Sequence, residues 1–420
     1  MQKKKNIYLI LLIITIIILY SNFVFASPPQ VGARAAIVMD IKTGQVLYNK
    51  HMNVKMPPAS TTKILTAIIA IEEGNLEDTV TISRKAAYQE GSSIWLKEGE
   101  ELTLEELLYG VMLSSANDAA IAVAEHIAGS VTEFVELMNE KAKEIGANKS
   151  NFLNPNGLPC TGHYSNAYDL AKIMSYALKN NTFAQITATK YKTISWDDNT
   201  WDRGLRNHNR LLWSYKGITG GKTGYTKAAG RCLVTSASRE GREVVAVVLN
   251  CASDWHDCKR LMDYGIENFK YEKVFTRGDK ICSLTWEETA EKDFKLLASK
   301  SLYVTVPKGG KISVKKVINI LEEKELPVKK NEKLGYISVY HKDKLIDRIE
   351  LVTDRELNFN SLFRRLWHNL TLVLKNNFNK GLNLSLKNIQ TGRYAKLYAT
   401  FAEIYGPCRN SFQKKIGRYY

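Results

Sequence analysis

The sequence predicts an α+β fold followed by a small β-rich unit, and three observations carry that expectation. Short apolar strands open and close the first 270 residues, with helix-periodic segments between them, so one sheet must draw its strands from distant parts of the chain. After Lys270 the charges become dense and the apolar residues fall in short alternating runs. The chain has 420 residues, 45% of them hydrophobic, which is enough for two cores.

Residues 1–26 are a different object. Met1–Lys5 is basic, Ile7–Tyr20 is apolar apart from Thr15, and Val24-Phe25-Ala26 offers small residues at a cleavage position. The apolar run is short for a membrane span, so a secretory signal cleaved after Ala26 is expected, with an uncleaved anchor as the alternative. Either places the folded part outside the cytoplasm. The first domain is expected over 30–270. Ala33–Asp40 reads as a strand, Lys42–Gly44 as a turn, and Gln45–Tyr48 as the returning strand. Ile64–Ile71 is long and apolar enough for a buried helix. Leu104–Met112, Ala119–Ile127, Val131–Ile145 and Tyr168–Leu178 show helical spacing, and Asn154–Pro159 is a loop. Leu233–Ala237 and Val244–Leu249 form a hairpin around Arg239–Arg242.

The β-rich domain is expected over 275–353, with strands at Tyr303–Val306 and Tyr336–Tyr340 and turns at Gly309-Gly310 and His341–Asp343. Over 356–380, Phe359, Leu362, Phe363, Leu366, Trp367, Leu370 and Leu374 share one helical face, and Arg364, Arg365 and Lys375 lie off it. This predicts a basic amphipathic helix that lies on a membrane surface; packing on the protein's own core is the alternative. Residues 381–420 are a basic tail without an assigned role. The net charge is +16, and the last 65 residues hold eleven Lys/Arg against two acids. For an exported chain this excludes nucleic acid as the natural partner and favours anionic lipid or an anionic wall polymer. The six cysteines include no C-x-x-C and no zinc spacing, so no metal is implied.

Three short motifs carry the chemistry. Ser60-Thr61-Thr62-Lys63 is S-x-x-K at a helix start, Ser115-Ala116-Asn117 is S-x-N before a helix, and Lys222-Thr223-Gly224 is K-T-G at a strand edge. Each alone reads as a helix cap or a turn. Together, in this order, they describe a serine with its own base. Residues three apart share a helix face, so Lys63 can reach Ser60. Serine is a poor nucleophile until a base takes its proton, and lysine serves only when burial and a second cation lower its pKa. Lys222 can be that cation. Ser60 near a helix N-terminus leaves its backbone N–H free for an oxyanion. Ser115 can relay a proton, Asn117 can hold a substrate amide and the Lys63 side chain, and Lys222 with Thr223 suits a carboxylate. Gly224 lets a peptide lie along the strand edge. His208 has no G-x-S-x-G elbow to serve and reads as structural.

With Gly91-Ser92-Ser93, Asn154–Leu158 and Tyr225-Thr226 added, these motifs resemble the low-molecular-mass penicillin-binding D-alanyl-D-alanine carboxypeptidases over about 30–270. The resemblance implies a β-lactamase/transpeptidase-like catalytic domain, with the β-rich domain and terminal anchor of that family's layout. It implies Ser60 as acyl nucleophile, Lys63 as base, Ser115 and Asn117 as the second motif, and Lys222, Thr223 and Gly224 as the third, with the N–H groups of Ser60 and Tyr225 as oxyanion hole. The implied activity is removal of the terminal D-Ala from peptidoglycan stem pentapeptides, without cofactor, and β-lactams should trap Ser60. Alternatives on the same residues are a D,D-endopeptidase or transpeptidase, a β-lactamase, and a non-catalytic penicillin-binding wall scaffold. The loop 152–162 has no Glu or Asp to deliver a deacylating water in the class A β-lactamase manner. Gly217–Gly221 departs from the family by its glycine content.

Overall fold

The computed structural model describes residues 27–196, 201–286, 289–290, 293–310, 313–321, 324–341, 343–359, 366 and 369. The chain divides into two compact units, and every candidate site residue lies in the larger. The expected signal, nearly all of the amphipathic segment and the basic tail lie outside the described residues; Leu357 and Phe359, expected within that segment, instead pair with Val328 and Thr289 in isolated antiparallel bridges. Among the described residues no helix is long and apolar enough to cross a membrane.

The expected first hairpin is β1 (Ala35–Asp40) and β2 (Val46–Lys50). Two short hairpins follow, β3 (Thr79–Thr81) with β4 (Glu101–Thr103) and β5 (Tyr191–Ile194) with β6 (Arg203–Arg206). The chain returns to the main sheet as β7 (Ile218–Thr226), β8 (Gly230–Arg239) and β9 (Arg242–Leu249). The sheet order is β2-β1-β9-β8-β7. All pairs are antiparallel, with Ala35 opposite Leu249 and Thr223 opposite Leu233. The edge strands β2 and β7 thus come from opposite ends of the domain, as the sequence predicts. β9 reads as a continuous apolar run because both its faces are covered: Val245, Val247 and Leu249 join one core, and Val244, Ala246 and Val248 the other.

The helices are α1 (Lys63–Glu73), α2 (Arg84–Ala87), α3 (Leu104–Tyr109), α4 (Asn117–Ala128), α5 (Val131–Ile145), α6 (Ala167–Ala177), α7 (Asn181–Ala188), α8 (Leu211–Ser214) and α9 (Asp254–Glu267). α1 is buried on every position from Lys63 to Ala70, which is why its sequence has no polar stripe. α3 opens on a capping box between Thr103 and Glu106. It does not run to Met112 as its periodicity suggests. Gly110–Ser114 widen into a π turn that stops at Ser115 in the left-handed conformation, φ 61°. The covered face of α9 puts Cys258, Leu261, Met262 and Ile266 into the second core.

The strands beyond α9 are β10 (Phe269–Phe275), β11 (Lys280–Thr285), β12 (Asp293–Ala298), β13 (Leu302–Pro307), β14 (Lys315–Ile320), β15 (Lys333–His341) and β16 (Lys344–Thr353). β10 pairs with β13, and the rest form a sheet ordered β11-β12-β16-β15-β14. The expected strands at 303–306 and 336–340 fall inside β13 and β15.

Candidate active site

Ser60 lies in a 3-10 turn, Ala59–Thr62, that feeds straight into α1. Thr61 braces the turn by donating its hydroxyl to the Pro58 carbonyl at 2.6 Å. Neither the turn nor α1 has a side-chain cap, so the Ser60 hydroxyl is not spent on capping. Its partner is the base expected from the sequence, with Lys63 Nζ 3.2 Å from Ser60 Oγ.

Lys63 is fully buried. Its Nζ also donates to Asn117 Oδ1 at 2.6 Å and to the Asn156 carbonyl at 2.7 Å. A neutral amine has two N–H bonds and one lone pair. In the neutral form the two acceptors would take both N–H bonds and leave the lone pair for Ser60 Oγ, whereas the ammonium donates to all three oxygens. Burial holds the Lys63 pKa well below its ordinary value, and the Lys222 charge lowers it further, against a smaller opposing pull from Asp118. Burial and Lys222 both act toward the neutral form that a base requires.

The second motif is held on the same side of Lys63. Asn117 opens α4, donates its side-chain amide to the Glu90 carbonyl at 2.7 Å and its backbone N–H to Ser92 O at 2.7 Å. Gly91 (φ 96°) is required there, since a Cβ would stand 2.6 Å from Asn117 Nδ2. Asp118 accepts from Ser93 Oγ at 2.6 Å and from the N–H groups of Ile94 and Leu96, which fixes the 92–96 segment to the start of α4.

The third motif lies on the edge strand β7. Lys222 is buried, and burial pushes its pKa down to about 7. Its Nζ donates to the Thr223 carbonyl at 3.1 Å. A Cβ on Gly224 would meet Ser60 N at 3.0 Å and Ala59 Cβ at 3.1 Å, so the strand runs directly beside the nucleophile turn. Tyr225 is exposed next to it. The glycine-rich approach has a local reason: Thr187 of α7 packs so closely that a Cβ on Gly220 would fall 2.3 Å from its methyl carbon. The same Thr187 accepts from Gly221 N–H at 3.0 Å and so fixes the strand that carries Lys222.

Ser60, Ser115, Thr223, Gly224 and Tyr225 line one groove of about 780 Å³. Lys63, Asn117 and Lys222 stand buried behind it. The sequence assigned no role to Asn156, whose contribution is a backbone carbonyl, nor to Arg210, which lines the groove. His208 also lines the groove, while the partner of Ser60 is Lys63. The thiols of Cys160, Cys232, Cys251, Cys258 and Cys282 are free.

Comparison with known proteins identifies similar chains. Residues 22–253 match the Peptidase_S11 profile, described as D-alanyl-D-alanine carboxypeptidase, and residues 269–358 match the C-terminal domain of penicillin-binding protein 5. The chain is 35% identical over 314 residues to D-alanyl-D-alanine carboxypeptidase DacF of Bacillus subtilis, covering 72% of this chain and 80% of the relative. It is 32% identical over 357 residues to DacD of Salmonella typhimurium, covering 81% and 90%. Penicillin binding protein 5 from Haemophilus influenzae superposes with a TM-score of 0.68 at 28% identity, over 79% of this chain and 99% of the other. A variant of the Streptomyces K15 DD-transpeptidase superposes at 0.54 and 34% identity, over 57% and 99%. With the catalytic profile over more than half of its length and the C-terminal profile after it, the chain belongs to the serine-type D-alanyl-D-alanine carboxypeptidases of the Peptidase_S11 family.

Proposed function

We propose that the protein removes the terminal D-Ala from peptidoglycan stem pentapeptides through an ester on Ser60, as part of cell-wall maturation. The observation that carries this is the buried Lys63 amine, 3.2 Å from Ser60 Oγ with both its N–H bonds occupied. Substrate enters along the edge of β7, with its terminal carboxylate on protonated Lys222 and the Thr223 hydroxyl. Lys63 takes the Ser60 proton as Oγ attacks the penultimate D-Ala carbonyl. The oxyanion sits on the N–H groups of Ser60 and Tyr225; the close run of Gly224 beside Ser60 N supports that pairing. Ser115 passes the proton from Lys63 to the leaving nitrogen, the C–N bond breaks, and D-Ala departs. Water then attacks the ester, gives its proton to Lys63, and frees the tetrapeptide and Ser60. β-Lactams, which mimic the terminal dipeptide, stop at the ester.

The protein is exported by its N-terminal signal and held to the outer face of the membrane by the amphipathic segment 356–380. This part of the reading rests on the sequence pattern alone. The test of the reaction is to incubate the purified protein with a synthetic pentapeptide ending in D-Ala-D-Ala and to measure free D-Ala. Stoichiometric release supports it, and intact peptide refutes it. Likeness to the K15 DD-transpeptidase favours a second reading, in which an amine replaces water. A new amide product on adding an acceptor amine distinguishes the two.

A further inference from the structure

The loop 152–162 brings the Asn156 carbonyl to Lys63, and His163 closes that loop. The His163 ring is 6% exposed and stands edge-on to Phe152, centroids 5.8 Å apart. Both ring nitrogens are engaged. Leu153 N–H donates to Nδ1 at 3.1 Å, so Nδ1 carries no proton. The one proton of the neutral ring is then on Nε2, facing Thr62 Oγ1 at 3.1 Å. Thr62 lies between the nucleophile and its base. Burial holds the His163 pKa at about 4, so the ring stays neutral at working pH.

We infer that His163 is a positioning residue for acylation: its Nδ1 holds the Leu153 N–H and thereby keeps the Asn156 carbonyl aimed at the Lys63 amine, the Thr62 bond being secondary. The inference rests on the reading of Lys63 as the base. If the carbonyl turns away, one Lys63 N–H loses its acceptor and is free to point at Ser60 in place of the lone pair. The loop itself stays attached, because Thr66 donates to the Pro155 carbonyl at 2.6 Å and Asn139 bonds Phe152 at both its N–H and its carbonyl. Loss of His163 should therefore affect aim more than folding.

Two near-isosteric variants separate the two ring nitrogens. His163→Asn keeps an acceptor near Nδ1 for Leu153, whereas His163→Gln keeps only a donor near Nε2 for Thr62. With a chromogenic β-lactam, the Asn variant should acylate within about threefold of wild type. The Gln variant should be slower by about tenfold or more, a loss of the size that small misplacements produce. KM for a D-Ala-D-Ala peptide should stay within about twofold in both, and their melting temperatures should match closely. Equal acylation rates in the two variants, or losses that track melting temperature, overturn the proposal.

A second readout needs no turnover. The protonation midpoint of Lys63, followed by ¹⁵N chemical shift, is set by burial, Lys222 and Asp118 together with its acceptors. It should move down in the Gln variant, where the ammonium loses the carbonyl, and stay in place in the Asn variant. An unmoved midpoint in both overturns the positioning role. Absence of penicillin labelling in the wild-type protein would instead refute the functional reading.

Discussion

Lysine can act as a base here because three kinds of contact act on one amine. Burial and Lys222 lower its pKa, Asn117 and the Asn156 carbonyl accept from it, and Ser60 Oγ lies 3.2 Å away. Removal of base or nucleophile should therefore cost alike. Lys63→Ala and Ser60→Ala should each lower acylation on the order of a thousandfold or more, because the pair acts as a unit. Stopped-flow with a chromogenic β-lactam checks this, and near-normal acylation in Lys63→Ala removes it as the base. Lys222 carries a pH prediction. With a pKa of about 7 it loses its charge as the pH rises, and with it the attraction for a carboxylate. kcat/KM for a carboxylate-terminated peptide should fall above about pH 7, and an analogue amidated at that terminus should not share the fall. The same shift bears on stability. The unfolded chain binds the Lys222 proton up to its ordinary pKa near 10.5, whereas the folded chain releases it near 7. The unfolded state thus binds more protons in between, and this group disfavours the fold most at and below neutral pH. The penalty fades with rising pH at up to about 1.4 kcal/mol per unit. Lys222→Met should melt higher than wild type at pH 7 and lose that advantage by pH 10; calorimetry at both values decides it.

Between elements, the site depends on close backbone approach. Gly157 (φ 84°) would place a Cβ 1.9 Å from the Ala59 carbonyl oxygen, so Gly157→Ala must move either the Asn156 loop or the Ser60 turn. It should lower both melting temperature and acylation rate, and an acylation rate equal to wild type would show that the loop does not set the geometry. Such contacts were the least legible part of the sequence. The three motifs could be read because their chemistry demands particular side chains at helix spacing. Asn156 could not be assigned a role, since any residue supplies a carbonyl. Periodicity alone carries α3 on to Met112, because α and π periodicities hardly differ over Gly110–Ser114. α9 escaped notice under its charged outer face, and α7 under its polar composition. β7 has little intrinsic strand preference among its glycines; pairing with β8 and packing by Thr187 hold it in place.

For the whole molecule, the eleven Lys/Arg against two acids in the last 65 residues give a salt-dependent expectation. A chain ending at Phe359, which keeps the Val328–Leu357 and Thr289–Phe359 bridges, should remain active and stay in solution. One continuing through Lys380 is expected to float with anionic vesicles, less at high salt but still measurably, if the apolar positions Phe363, Trp367 and Leu370 of the sequence pattern contact lipid, since apolar contact is not screened. If both chains stay in solution and the shorter melts much lower, the segment is structural. The proposed chemistry turns on one bond, the ester to Ser60. The direct measurement is intact-mass analysis after treatment with penicillin, followed by peptide mapping. One adduct per chain is expected, on the peptide that contains Ser60 and absent from Ser60→Ala; an adduct on any other residue, or an unmodified wild-type chain, would rule the Ser60 ester out.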